Sequence, residues 1–98
     1  METVIKEHLE DILKYDLSAD EKAIQLCLYC MKAQIFTDGN KRASVIFANH
    51  YLISQGGGML IIPEKEVSAF KRLLVAYYED RNNDIFLFMK ERCVKTLI

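Results

Sequence analysis

Ninety-eight residues, 51% apolar and 28% charged with a formal net charge of −1, describe one small domain, spanning 1–98, with a single core. A chain this close to neutrality excludes broad electrostatic binding of nucleic acid or anionic lipid, so any basic site must be local. No apolar run reaches membrane-spanning length, and residues 1–13 are amphipathic and charged rather than a signal peptide. This absence of targeting points to the cytoplasm.

The chain reads as helices from end to end. Ile5, Leu9, Ile12 and Leu13 form the apolar stripe of a first amphipathic helix. Ser18 and Glu21 then make a capping box, in which the hydroxyl accepts the third helical amide while the carboxylate reaches back. A second helix is expected from about Asp20 to Gln34, apolar at Ala23, Ile24, Cys27, Leu28, Met31 and Ala33. Cys27 and Cys30 have C-x-x-C spacing, but they fall mid-helix with no second pair to complete a zinc site. Cys27 and Cys30 therefore read as two small core residues, and with Cys93 they make an odd count, which does not suggest a disulfide framework.

After a turn at Asp38, Gly39 and Asn40, a third helix is expected from Lys41 to about Gln55. Residues 43–53 are apolar nearly all round apart from Ser44, Asn49 and His50. That composition predicts a helix buried on most sides, at the centre of the domain. Gly56, Gly57 and Gly58 stop it. Residues 59–62 form a short extended segment, and Pro63 opens a fourth helix as its first residue, with Val67, Phe70, Leu74, Tyr77 and Tyr78 inward. Asn82, Asn83 and Asp84 cap a last helix to about Leu97, with Ile85, Phe88, Met89 and Leu97 inward. The expected fold is all-α, a compact bundle of about five helices.

The turn between the second and third helices carries the chemistry. Lys41 and Arg42 sit in the first turn of a helix, where the partial positive charge of the dipole disfavours cations. A visiting phosphate would reverse that preference. Gly39 permits a positive φ, so successive amides can converge on an anion, Asn40 is a candidate N-cap and side-chain donor, and the Arg42 fork suits phosphate oxygens. Asp38 would repel a phosphate unless a divalent cation lay between them, and Mg²⁺ takes one carboxylate together with phosphate oxygens. Phe36, one turn earlier, is expected to anchor the loop to the core. The same residues also suit a plain helix–loop–helix corner with solvated charges.

The run Gln-Ile-Phe-Thr-Asp-Gly-Asn-Lys-Arg at 34–42 resembles the signature of Fic (Fido) domains, His-x-Phe-x-Asp/Glu-Gly-Asn-Gly-Arg-x-x-Arg. The likeness extends from about Ser18 to the end and implies the C-terminal part of a Fic fold, or a minimal version of it. Members of that family transfer a nucleotide monophosphate, usually AMP from ATP, to a protein hydroxyl; the related Doc toxins phosphorylate instead and carry Lys at the second Gly. The resemblance implies Phe36 as anchor, Asp38 as Mg²⁺ ligand, and Gly39, Asn40 and Arg42 as the phosphate cradle for ATP or another nucleotide.

Three positions depart from the signature. Gln34 stands where the family has its general base, Lys41 replaces the second Gly, and Val45 replaces the last Arg. A glutamine amide can orient a hydroxyl but cannot take its proton, and losing a positioned base costs about 10²–10⁴-fold in rate. His50 lies roughly 13 Å further along the helix, and His8 reads as a surface or boundary histidine. The expectation is a domain that keeps a Mg²⁺-nucleotide site but has little or no transferase activity, acting with an unidentified protein target or regulator. Two alternatives remain: an active AMP transferase or Doc-like kinase using another base, and a non-enzymatic interaction module. A DNA-reading helix-turn-helix is disfavoured because residues 45–53 are too apolar to face base edges.

Overall fold

The computed structural model of the chain describes residues 2–34 and 39–95. Five α-helices run in order: α1 Glu2–Lys14, α2 Ala19–Ala33, α3 Asn40–Ser54, α4 Val67–Tyr78 and α5 Asp84–Arg92. A one-turn 3₁₀ helix at Glu64–Glu66 leads into α4, and two short strands, β1 Met59–Leu60 and β2 Val94–Lys95, pair antiparallel. The expected all-α bundle of five helices is therefore the observed architecture. No helix among the described residues is long and apolar enough to cross a membrane. The expected anchor Phe36, the expected metal ligand Asp38, and Leu97 lie outside the described residues.

The centre of the bundle is α2, not α3. Ala23, Ile24, Leu26, Cys27, Leu28, Cys30 and Met31 are all buried, so α2 is covered by α1 on one side and by α3 and α5 on others. The expectation for α3 fails on its outer face. Its buried ridge is only Ser44, Ala48 and Leu52, spaced i, i+4, i+8, and the small Ser44 and Ala48 let it pack closely on α2. An apolar sequence without periodicity says that a helix is sticky on every side; it does not say which neighbours arrive. Ala33, assigned inward, is exposed at the end of α2, and Leu13 is exposed on α1.

Most of the punctuation follows local chemistry. The Ser18 hydroxyl accepts the Glu21 amide at 3.2 Å and donates to the Glu21 carboxylate at 2.9 Å, closing the expected capping box hydroxyl to carboxylate. Lys90 on α5 reaches the same carboxylate at 3.7 Å, and the Ser18 hydroxyl, then Lys90, hold Glu21 below the usual carboxylate range. Gly56 takes φ +71° and ends α3 as expected. Pro63 starts the 3₁₀ turn rather than α4 itself, which begins at Val67. Last, α5 stops at Arg92 instead of continuing toward Leu97, because Val94 and Lys95 leave the helix to pair with Leu60 and Met59.

One polar side chain joins α3 to this small sheet. The Asn49 amide donates to the Leu60 carbonyl at 2.9 Å and accepts the Leu60 N–H at 2.6 Å. On the other edge of β1 the Ile61 N–H donates to the Cys93 carbonyl at 2.7 Å. Asn49 thus occupies the position of a third strand, satisfying both backbone groups of a residue that is itself buried. Truncation would leave both groups without partners. Asn49→Ala is expected to lower unfolding free energy by about 2–4 kcal/mol, read from the urea midpoint; a change below about 0.5 kcal/mol would mean that water replaces the amide without loss.

Candidate functional site

The two ends of the 34–39 connection have the same unusual backbone. Gln34 caps α2 in the left-handed region (φ 51°, ψ 49°), with its N–H bonded back to the Cys30 and Met31 carbonyls. Gly39 precedes α3 in the same region (φ 60°, ψ 38°). Glycine enters it without steric cost, whereas a side chain there costs about 1–2 kcal/mol. Gln34 is therefore held in place by the helix end it closes.

Gly39, not Asn40, is the N-cap of α3, a correction to the sequence expectation. Asn40 is the first helical residue, and its side-chain amide donates to the Met31 carbonyl at 3.1 Å. The last carbonyls of a helix are short of intrahelical partners, and that of Met31 accepts both the Gln34 N–H and the Asn40 amide. The result is a tie between the end of α2 and the start of α3. Ala43 N–H donates to the Gly39 carbonyl at 2.9 Å as the first intrahelical bond.

Around this corner lies an open cleft of 940 Å³ lined by Met31, Gln34, Gly39, Asn40, Lys41, Arg42, Ala43, Ile46 and Tyr78. It brings together every described residue that the sequence assigned to the site. Lys41 and Arg42 are the charged groups among its described lining. Tyr78, assigned from sequence to the inward stripe of α4, packs half-buried against the core as Tyr77 does, and it also forms part of the cleft wall. Adjacent residues on a helix point about 100° apart, so neither tyrosine is fully enclosed. Burial raises the Tyr78 phenol above its ordinary value, with Cys27 and Tyr77 adding to the shift; at neutral pH it is a hydrogen-bond donor and not a base.

A second hollow shares the same two cations. It is a slot of 210 Å³ walled by Met31, Val45, Ile62, Val67 and Phe70, with Lys41, Arg42 and Lys71 at its edges. Val45, one of the departures from the Fic signature, is here a wall of the slot. Lys41 and Arg42 thus stand between an open cationic cleft and an apolar slot, an arrangement that the linear sequence does not reveal. Among the described residues no group of three His, Cys, Asp or Glu is placed to hold a metal; a Mg²⁺ bound through one carboxylate and ligand oxygens needs no such group.

The other candidates resolve into structural roles. His8 is exposed on α1, stacks on Tyr29 with centroids 5.1 Å apart, and has its Nδ1 3.1 Å from the Val4 carbonyl, the boundary position expected. His50 is exposed on the outer face of α3. Cys27, Cys30 and Cys93 are buried free thiols. No family model, curated protein or solved structure matches the chain.

Burial pushes the Cys27 thiol up to about 12 and those of Cys30 and Cys93 up to about 11. Thiolates are the reactive form, so the native chain at pH 8 should resist iodoacetamide at all three positions and react only on unfolding. The sign in alkali follows. An unfolded thiol ionises at about 8.5, so the stability from burying neutral thiols is complete below that pH and is lost as pH rises toward the folded values. Rapid alkylation of the folded chain, monitored by intact mass, would contradict this placement.

Proposed function

We propose that the chain is a Fic-type nucleotide-binding domain that holds a Mg²⁺-polyphosphate at the 34–42 corner and has little or no transferase activity. The observation that carries the reading is the position of Lys41 and Arg42. They stand on a helix start opened by a left-handed glycine, with the cationic cleft on one side and the apolar slot on the other. A nucleotide has the matching division, an anionic chain at one end and a flat, weakly polar base at the other. Phosphate oxygens would take the Arg42 fork and the Lys41 ammonium, while the base would displace water from the slot between Val45 and Phe70. Mg²⁺, held by Asp38 together with the phosphates, would supply charge neutralisation. Tyr78 would donate a hydrogen bond from the opposite wall of the cleft.

The same geometry supports the deficit in chemistry. Gln34 cannot accept a proton, Tyr78 holds its own, and His50 lies on the outer face of α3 rather than in the lining of the cleft. Binding is thus separated from transfer.

ATP binding in the presence of Mg²⁺, followed by calorimetry, should weaken at least tenfold in Arg42→Ala, the loss of a charge-assisted contact worth about 1.5–3 kcal/mol. Val67→Ala, at the wall of the slot and outside the core cluster, should weaken ATP but leave inorganic pyrophosphate unchanged. No binding of either ligand at millimolar concentration would defeat the reading. Labelled ATP then tests the chemistry: Gln34→His should restore label from the α-phosphate onto protein if only the base is missing. Label transferred by the unaltered chain, from the α- or the γ-phosphate, would show an active AMP transferase or a kinase instead.

A further inference from the structure

On α3 the face opposite the buried ridge has a regular seam of its own. Ala43, Ile46, His50 and Ile53 follow one another at spacings of three, four and three residues, the spacing by which two helices pack along one stripe. Ile46 and Ile53 are each 51% exposed and Phe47 beside them 37%. The hollow between the two isoleucines measures 400 Å³. We infer that a second copy of the chain covers this seam, with the two α3 helices packed antiparallel across a two-fold axis.

The charges on α3 select that occupant and its direction. The helix has Lys41 and Arg42 in its first turn, no acidic residue in that turn and no basic residue in its last. Both ends therefore lack the charge that the helix dipole favours. An antiparallel second copy corrects both at once. Arg42 of each copy comes beside Ser54 of the other, next to the C-terminal carbonyls that prefer a cation, while the two cationic turns stay about 20 Å apart. Along the seam Ile46 packs on His50 of the second copy and Ala43 on its Ile53. A parallel pair would instead bring the four cations together.

Arg42, Ala43 and Ile46 also line the cleft, so association narrows the entrance to it. The dimer does not depend on the nucleotide reading.

Sedimentation equilibrium of the full chain from about 1 to 500 µM should give twice the chain mass at the upper end, and Ile46→Glu or Ile53→Glu should each weaken association at least tenfold. Both side chains are exposed, so thermal unfolding of the dilute monomers should be unchanged. For orientation, Ala43→Cys and Ile53→Cys chains are mixed under mild oxidation. The mixture should form a disulfide-linked dimer, and neither variant alone should do so. A monomer at every concentration, a dimer indifferent to both glutamates, or self-linking of Ala43→Cys would each overturn the proposal.

Discussion

The burial of α2 on nearly every side is the constraint from which the rest of the molecule follows. Its small residues, Ala23, Cys27 and Cys30, let neighbouring helices approach closely, and its larger ones, Ile24, Leu28 and Met31, fill the space between them. A helix so enclosed cannot run on past its cover, and Gln34 turns the chain in the left-handed region just beyond Ala33. Asn40 then fastens the start of α3 to the Met31 carbonyl. The candidate site is the corner made by these two events, so its geometry is set by how the core helix ends.

The far wall of the site depends on a different polar tie. Asn49 fixes Leu60 through both backbone groups, and β2 holds β1 from its other edge. From β1 the chain passes through Ile62 to Val67 and Phe70, which with Val45 close the apolar slot. At the end of α4, Asp80 takes φ +56° while Lys32 from α2 pairs with its carboxylate at 2.5 Å and lies over the Tyr77 ring. That contact fixes the turn of α4 bearing Tyr78. The cleft and the slot thus share one pair of cations but rest on separate supports.

Features that act within a few residues were legible in the sequence. The Ser18–Glu21 box, the glycine stop at Gly56 and the burial of Cys27 and Cys30 each express chemistry confined to a turn or to one helix face. Features that depend on who arrives from elsewhere were not. Asn49 reads as an interruption in an apolar helix until Leu60 is placed against it, and β2 has only two residues, with a partner about 35 positions earlier. The central place given to α3 was an error of the same kind, since uniform apolarity has no direction. Of the loop motif, Gln34, Gly39, Asn40, Lys41 and Arg42 line one cleft, and Asn40 does so as a tie between helices. Tyr78 and the slot needed the packing of α4 to become visible.

What remains to be balanced is the charge at the start of α3. Two cations in the first turn of a helix oppose its dipole, each by about 0.3–1 kcal/mol, and Gly39 contributes no side chain to offset them. Inside the described fold neither Lys41 nor Arg42 belongs to a salt bridge. Such an arrangement lowers the energy of any state in which negative charge is brought from outside. A polyphosphate would supply it as full charge, in the cleft, and the C-terminal carbonyls of a second α3 as partial charge, along the seam. Arg42 would serve both, so occupation of one would draw on the interaction that stabilises the other. The local penalty at this helix start would then couple the cleft to the surface beside it.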